Sequence, residues 1–288
     1  MGEHVMENSA LRVTVSDAGA ELISVVDKEK QTERIWTGEK AIWNRHAPIL
    51  FPFVGKVNGG KYRIAGREYE MKTQHGFARD LDFTCIEDTP GSVKHRLTAT
   101  DWTRERYPGD FCLTVAHSLA GRQLNVSWEI ENRGEDRMYY CIGGHPGFLM
   151  PQGIRKEDCR ILFPGRETLR YKSANSNGYI LPEEKTLRLR DESAAWQEDI
   201  PDTWIFEDGQ VKSVGILLPD GSPWVMLRCE AFPMLSVWAN AAGPFICLEP
   251  WFGRADDEGF RGSIEEKKAI EHLEAGEKKT ICYSMEFI

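Results

Sequence analysis

Apolar and polar residues alternate with a period of two along most of the chain, which is typical of β-strands with one buried face. The clearest example is 124–131, Leu-Asn-Val-Ser-Trp-Glu-Ile-Glu; a polar turn then leads to a second predicted strand over 137–142. Residues 280–288 form another candidate strand. Such segments recur about every 10 residues, the spacing of a sandwich or barrel. The pattern predicts one all-β domain over residues 1–288, a large antiparallel β-sandwich with few short helices.

Glycine-containing turns punctuate the predicted strands. Hairpin-type turns are expected at 58–60, 120–122, 220–221 and 275–277. Two segments, 103–106 and 192–197, favour a turn or two of helix. The stretch 165–200 is polar and poorly periodic, so we expect a long loop there. No low-complexity linker or composition shift divides the chain.

Composition supports a large core and argues against two classes of partner. The 288 residues are 41% hydrophobic and 10% aromatic, which is enough for a sizeable core. The 45 acidic and 36 basic residues give a net charge of −9, and no long basic run is present. A protein that binds nucleic acid or an anionic membrane normally has a basic face. Neither partner is therefore expected.

The N-terminal segment and the cysteines favour a cytoplasmic protein. Residues 1–8 lack the basic and apolar regions of a signal peptide, and no apolar run approaches the ~18 residues of a transmembrane helix. The seven cysteines are scattered singly, so we interpret them as buried, reduced thiols. We expect a monomer or a homodimer.

Three short islands carry the candidate chemistry: 74–80 (Gln-His-Gly-Phe-Ala-Arg-Asp), 143–148 (Gly-Gly-His-Pro-Gly-Phe) and 248–254 (Leu-Glu-Pro-Trp-Phe-Gly-Arg). Each places titratable side chains among glycine, proline and aromatic residues, which fix the backbone path and offer flat apolar walls. The central groups are His75, His145 and Glu249. Two histidines and a carboxylate can give and take protons near neutral pH.

Structural explanations compete with the catalytic one at each island. His75 could hydrogen-bond a carbonyl at a strand end. A carboxylate at the end of an apolar run must be paired or have a raised pKa, so Glu249 could form an ion pair with Arg254 or Arg228. Trp251 could stack on a sugar face or fill the core.

A metal site is a further possibility for two histidines and a carboxylate, but its usual spacing is missing. The chain contains no H-x-H, H-x-x-x-H or C-x-x-C pair among these groups. The G-x-S-x-G, G-x-G-x-x-G and P-loop signatures are absent as well. We therefore predict a site without a metal or cofactor.

In these islands the chain resembles the aldose 1-epimerase (galactose mutarotase) family, specifically its LacX-like branch. An upstream segment, 42–56, resembles the branch's stretch that ends in F-P-x-x-G-[RK]. The three islands follow in family order, and Leu-Glu-Ala-Gly-Glu at 273–277 precedes a last strand. The resemblance covers about residues 10–288. It implies a supersandwich of antiparallel strands with an open sugar site that needs no cofactor.

The resemblance also implies roles for the three central residues. Glu249 matches the family's general base, His145 its general acid, and His75 the other active-site histidine. The expected reaction is an isomerisation of a hexose. Glu249 takes the proton of the anomeric hydroxyl, His145 protonates the ring oxygen, and the open-chain aldehyde rotates and closes again.

The predicted substrate contacts are Lys56, Arg79, Asp80 and Trp251. Lys56 stands where many relatives have arginine, so a bidentate contact becomes a single-point donor. The acidic residue that grips sugar hydroxyls in the galactose mutarotase branch has no aligned motif here, and Asp202 is a guess for it.

Three alternative functions are kept. Lys56 and Arg79 could meet a phosphate, which makes a hexose-6-phosphate mutarotase the runner-up. A non-catalytic sugar-binding or regulatory protein could use the same fold. A glycoside hydrolase or lyase ranks lower. Such an enzyme would use two carboxylates or a tyrosine base, whereas Glu249 is the one carboxylate here with a distinctive motif around it.

Overall fold

The structure is a computed structural model that describes residues 2–196 and 203–288. The segments with alternating apolar and polar residues form β-strands in it. In chain order the strands are β1 (Glu3–Glu7), β2 (Leu11–Ser16), β3 (Leu22–Asp27), β4 (Thr32–Glu33), β5 (Ile49–Leu50), β6 (Lys61–Ile64), β7 (Arg67–Glu70), β8 (Thr84–Thr89), β9 (Ser92–Thr98), β10 (Phe111–Ala120), β11 (Gln123–Asn132), β12 (Met138–Tyr140), β13 (Ile142–Gly144), β14 (Gly147–Leu149), β15 (Arg160–Leu162), β16 (Thr168–Tyr171), β17 (Lys185–Arg188), β18 (Ser193–Ala195), β19 (Thr203–Phe206), β20 (Ser213–Leu217), β21 (Pro223–Arg228), β22 (Met234–Trp238), β23 (Phe245–Phe252), β24 (Glu271–Leu273) and β25 (Lys278–Phe287).

Helical structure is scarce. The described residues contain one short α-helix, α1 (Asp101–Arg104), and four 3-10 turns at Asn58–Gly60, Ala78–Asp80, Lys156–Asp158 and Ile264–Glu266. Thr100 caps α1 by accepting a hydrogen bond from the Thr103 backbone N–H, so the helix begins two residues before the predicted segment. No helix in the described ranges has the length and apolar character needed to cross a membrane.

The strands form two large antiparallel sheets and several small ones. One sheet has nine strands in the order β18-β15-β20-β21-β25-β11-β10-β9-β8. The other has β19-β22-β23-β13-β5, with β14 also pairing with β23. A four-stranded sheet, β1-β2-β3-β4, contains the N-terminal segment. The predicted all-β, antiparallel architecture with few short helices is confirmed.

The two large sheets pack face to face around one apolar core. Phe51, just after β5, has its ring centroid 5.0 Å from that of Phe111 on β10. The ring centroid of Phe148 on β14 lies 6.3 Å from that of Phe287 on β25. The main hydrophobic cluster therefore draws on both sheets, which is the packing of a sandwich.

Some local predictions are confirmed and others are wrong. The turns at 120–122 and 220–221 do join paired strands, β10–β11 and β20–β21. The turn at 275–277 joins β24 to β25, but β24 pairs with β12 instead. Residues 58–60 form a 3-10 turn, and the nearby hairpin is β6–β7.

The region 165–200 is more structured than predicted. It contains the hairpin β16–β17, and the segment expected to be helical includes β18, which pairs with β15. Gln197, the end of that segment, lies outside the described residues. All seven cysteines are free; five are buried, but Cys85 is partly buried and Cys282 is exposed, so the expectation that all are buried is wrong.

Strand β23 positions the candidate site. All eight of its residues are buried, and it lies in the interior of the six-stranded sheet between β22 and β13. The ladder sets Glu249 opposite Ser236 of β22 and Trp251 opposite Gly143 of β13. An ionisable side chain is thereby carried into the middle of an apolar layer.

Candidate active site

The three sequence islands meet at one cleft. Its volume is about 310 Å³, and His75, His145 and Glu249 all line it. Glu249 comes from β23 and His145 from the loop after β13, two neighbouring strands of one sheet. His75 reaches the cleft from the loop before the 3-10 turn at Ala78–Asp80.

Glycines let the backbone approach other groups closely at the His145 island. A Cβ on Gly143 would lie 2.6 Å from Cδ1 of Trp251, and one on Gly144 would lie 2.7 Å from the hydroxyl oxygen of Tyr283. Any side chain at either position would displace a buried ring. The Gly-Gly pair therefore allows β13 to seat His145 beside β23.

The loop that carries His75 has a left-handed backbone conformation at this residue, and its hydrogen bonds with Gly55 fix the tautomer of the imidazole ring. His75 has φ +67°, and its backbone N–H donates to the Gly55 carbonyl at 2.7 Å. The Gly55 N–H in turn donates to Nδ1 of His75 at 3.0 Å. Nδ1 is thus an acceptor, so the proton of the neutral ring resides on Nε2. The ring does not merely donate to a strand-end carbonyl.

His145 and Glu249 form a close buried pair. Nε2 of His145 lies 3.2 Å from Oε2 of Glu249, and the side chains are only 9% and 1% exposed. Burial raises the pKa of Glu249 well above its usual range. Burial, with a smaller effect of the Arg79 charge, lowers the pKa of His145 to about 3. These directions favour a neutral pair, with its one shared proton on the carboxyl.

The structural ion pairs considered for Glu249 do not form. Arg254 binds Glu207, with Nε 2.7 Å from Oε1, and also binds Asp257. Arg228 pairs with Glu286 on the sheet surface. Among the described residues, His145 is the only basic side chain with a nitrogen within 4.0 Å of the Glu249 carboxylate.

Most of the predicted substrate contacts also line the cleft. Lys56, Arg79 and Trp251 do so. Arg79 donates to the Gln74 carbonyl at 2.8 Å, and burial lowers its pKa. Asp80 is not among the lining residues, because it belongs to the 3-10 turn and pairs with Arg45. Asp202 lies outside the described residues.

The cleft has further lining residues that the motifs did not reveal. The Trp43 ring lies 5.0 Å from His145, and the Trp238 ring lies 5.5 Å from it, so the imidazole sits between two indoles. Ser236 lies opposite Glu249 and is fully buried, and its hydroxyl has no hydrogen-bond partner among the described residues. The sequence signal for Ser236 is a serine within an otherwise apolar strand. Asn175 and Asn240 add amides at the cleft wall.

The structure also adds a thiol to the central pair. One ligand atom each from His145, Cys247 and Glu249 lies within 4.8 Å of the others. Cys247 is two residues before Glu249 on β23, hence on the same face. This trio could hold a metal, but burial raises the pKa of both Cys247 and Glu249. Metal binding here would have to displace both protons.

Comparisons with known proteins agree on one family. The family model described as Aldose 1-epimerase matches residues 3–223. Protein LacX (chromosomal) of Lactococcus lactis subsp. lactis is 28% identical over 281 residues, 92% of this chain and 91% of that protein. A galactose mutarotase related enzyme from Lactobacillus acidophilus has a TM-score of 0.93 at 29% identity, covering 100% of this chain and 97% of that one. A galactose mutarotase-like protein from Lactobacillus casei ATCC 334 gives 0.90 at 28%, covering 100% of both chains.

Proposed function

The chain is a LacX-like member of the aldose 1-epimerase family, and on that premise we propose that it is a mutarotase, which interconverts the α and β anomers of a hexose. The observation that carries the proposal is the His145–Glu249 pair, 3.2 Å apart in the cleft. Ring opening moves protons at two oxygens, O1 and O5, which are both bonded to C1. Two proton-transfer groups must therefore lie close together, as these two do.

The proposed reaction begins with Glu249 as the base and His145 as the acid. Glu249 accepts the proton from the O1 hydroxyl while C1=O1 forms. The C1–O5 bond breaks, and O5 receives a proton from Nε2 of His145. The aldehyde then rotates about C1–C2, and closure on its other face runs both transfers in reverse. Protons and electrons balance within the substrate and these two side chains.

The pKa directions fit this cycle. Burial favours the protonated carboxyl and the neutral imidazole. Moving that one proton from Glu249 to His145 creates the required base and acid without exchange with solvent. The resulting charges need polar partners, and sugar hydroxyls supply them when they replace water in the cleft. After ring opening the pair is neutral again.

His75 is proposed to hold a substrate oxygen. Its Nδ1 is engaged by the Gly55 N–H at 3.0 Å, so Nε2–H is the donor that remains. Burial and the neighbouring His145 lower the pKa of His75 well below its usual range, which keeps the ring neutral. A neutral donor can polarise the ring oxygen or a nearby hydroxyl without competing as an acid.

Two cations in the lining favour a second candidate substrate, a hexose phosphate. Lys56 and Arg79 line the cleft, and neither has a carboxylate within 4.0 Å in the described part of the chain. The carboxyl of Glu249, the acid in the lining, is held protonated by burial. A phosphate group would complement both cations. For this reason, hexose 6-phosphates belong in the assay beside free hexoses.

Anomer exchange measured by NMR saturation transfer tests the proposal. We expect the protein to accelerate exchange of at least one free or phosphorylated hexose. Glu249→Gln should reduce the enzymatic rate by about 100-fold or more, because proton transfer contributes 10²–10⁴-fold. Glu286→Gln is the matched control, since Glu286 is on the surface and pairs with Arg228. Lys56→Gln should raise KM for the phosphorylated sugar more than for the free one.

One outcome would reject the enzymatic function, and another would reject the assignment of the catalytic pair. If wild-type protein accelerates no hexose or hexose phosphate but still binds one, the protein is a sugar-binding module. If Glu249→Gln retains the full rate, the His145–Glu249 pair is not the catalytic pair.

A further inference from the structure

A second cluster of imidazole, thiol and carboxylate groups lies between the N-terminal sheet and the edge of the nine-stranded sheet. His4 is on β1, Cys85 on β8 and His95 on β9. Cys85 and His95 are directly opposite each other in the β8–β9 ladder, so their side chains share a face. Strand β1 contacts β9 and brings His4 over that face. None of these strands contributes to the lining of the cleft.

The distances match those of a compact ligand set. One ligand atom each from His4, Cys85 and His95 lies within 4.8 Å of the others. Oδ1 of Asp17 lies 3.0 Å from Nε2 of His4 and 3.3 Å from Nε2 of His95. Around tetrahedral zinc, bonds of about 2.0–2.3 Å place neighbouring ligand atoms about 3.3–3.6 Å apart. Asp17 lies outside that compact trio, so its side chain would have to move toward Cys85 for all four groups to reach one ion.

The surrounding hydrogen bonds orient the His4 ring and the Asp17 carboxylate toward each other, whereas the Cys85 thiol donates to the Glu87 carbonyl at 3.4 Å. Nδ1 of His4, the nitrogen on the other side of the ring, lies 2.7 Å from Oδ2 of Asp88. A carboxylate on the far nitrogen of a ligating histidine is the usual support of a zinc site. The Gly2 backbone N–H donates to Oδ2 of Asp17 at 2.5 Å, which leaves Oδ1 facing the two histidines. His95 is fully buried, so its ring direction is fixed.

The charge balance also suits a divalent cation. Two carboxylates, Asp17 and Asp88, flank His4. A divalent metal ion would supply the positive charge between them.

We propose that His4, Asp17, Cys85 and His95 form a structural zinc site that fastens the N-terminal strand to the edge of the large sheet. Imidazole, thiolate and carboxylate are the donors that Zn²⁺ takes, and four protein ligands make a closed site. Thiolate disfavours Mg²⁺ and Ca²⁺, which take oxygen ligands. The site is separate from the sugar cleft, so its test is independent of the proposed activity.

Zinc titration of the chelator-treated full-length protein, in competition with a chromophoric chelator, tests the site. We expect one Zn²⁺ per chain and a higher thermal midpoint with zinc. Cys85→Ser and His95→Gln should abolish both effects, while His272→Gln, at a half-exposed position, should change neither. Asp88→Asn should weaken the affinity by about 10–100-fold, because a neutral amide replaces the carboxylate that supports His4 and is a weaker acceptor.

Cobalt(II) substitution separates this cluster from the Cys247 thiol beside the His145–Glu249 pair. We expect a thiolate-to-cobalt charge-transfer band that Cys85→Ser removes and Cys247→Ser preserves. Circular dichroism of the metal-free variants checks that each one folds. Absence of stoichiometric zinc binding, or binding that survives in both Cys85→Ser and His95→Gln, would overturn the proposal. So would a cobalt band that depends on Cys247 alone.

Discussion

The buried position of Glu249 lowers the free energy of unfolding at neutral pH. Its side chain is 1% exposed on a strand whose every residue is buried. Burial penalises the charged carboxylate, which is why its pKa is raised. The unfolded chain exposes the same group with an ordinary pKa. Above that ordinary value the unfolded state loses its proton freely while the folded state holds it.

Glu249→Gln should therefore stabilise the protein as the pH rises. A raised folded-state pKa gives stability that is present below the ordinary carboxyl pKa of 4.5 and is lost as the pH climbs to the folded value. The variant has no such loss. Its advantage in unfolding free energy should grow by about 1.4 kcal/mol per pH unit above 4.5, up to the folded pKa. Urea unfolding between pH 4.5 and 7.5 measures this difference.

The control for this experiment is Glu286→Gln, which removes one carboxylate from the surface. A Glu249→Gln advantage that is independent of pH would contradict the raised pKa. Stabilisation together with loss of activity would mark Glu249 as a group kept for chemistry at the expense of stability.

Motifs located the central residues well but not every contact. His75, His145 and Glu249 are named by their islands, and all three line the cleft. Asp80 shares an island with His75, yet a 3-10 turn directs it to Arg45. Cys247 enters the site through the two-residue period of β23 and not through a motif. Residues of one island are carried to the same part of the fold, but the local backbone geometry decides whether each side chain points into the cleft.

At the scale of elements, the loop that carries His75 depends on Gly76. Gly76 has φ +67°, and a Cβ there would lie 2.3 Å from the Phe51 carbonyl oxygen. The neighbouring backbone N–H groups of Phe77 and Ala78 both donate to that same carbonyl at 3.0 Å. A side chain at 76 would push the loop away from the strand segment beneath it.

Gly76→Ala should accordingly cost far more than loss of glycine at an open turn. We expect a destabilisation of about 3 kcal/mol or more from the steric clash and the left-handed backbone together. Gly66→Ala is the matched control, because Gly66 has φ +76° with nothing within 4 Å of its added Cβ. It should cost about 1 kcal/mol. Equal losses by urea unfolding would contradict the role assigned to the Phe51 contact.

Element prediction succeeded where one strand's own pattern was enough. The alternation over 124–131 became β11, in the interior of the nine-stranded sheet. It failed where pairing with a distant partner decides the structure. The segment 193–195 is a strand because it pairs with β15. Strand β24 pairs with β12 and not with β25, which follows it in the sequence. Such non-local pairings are not contained in local periodicity.

For the whole molecule, the alternating sequence pattern predicted an all-β sandwich, and the family resemblance predicted that it is a supersandwich of antiparallel strands. The sheet order joins strands far apart in the chain, such as β11 beside β25, which periodicity does not specify. Organisation as one domain over 1–288 stays a prediction, as do the substrate and the cellular location. The comparisons establish the family, and the sites remain proposals that the experiments above test.

The molecule as a whole buries several histidines in neutral form, and this predicts acid sensitivity. Burial lowers the pKa values of His75 and His145 in the cleft and that of His117 on β10, the last to about 3. The unfolded chain binds protons at these groups below about pH 6.5, whereas the folded protein does not. Each group therefore removes stability as the pH falls from 6.5 toward its folded value. Glu249 acts in the opposite direction, so the wild-type slope alone does not isolate one histidine.

His117→Gln isolates one of these contributions away from the cleft. His117 is 2% exposed, and Nδ1 has no hydrogen-bond partner in the described residues, so glutamine removes the titration without breaking an ion pair. The unfolding free energy of the variant, relative to wild type, should rise by about 2 kcal/mol between pH 7 and pH 5, since the linkage is 1.4 kcal/mol per unit below 6.5. His272→Gln, at the exposed middle position of β24, controls for the loss of one imidazole. Urea unfolding at pH 7, 6 and 5 gives the three differences. A His117→Gln difference that is constant across this range would mean that the folded protein protonates His117 as readily as the unfolded chain does, and the acid sensitivity would then have to arise elsewhere.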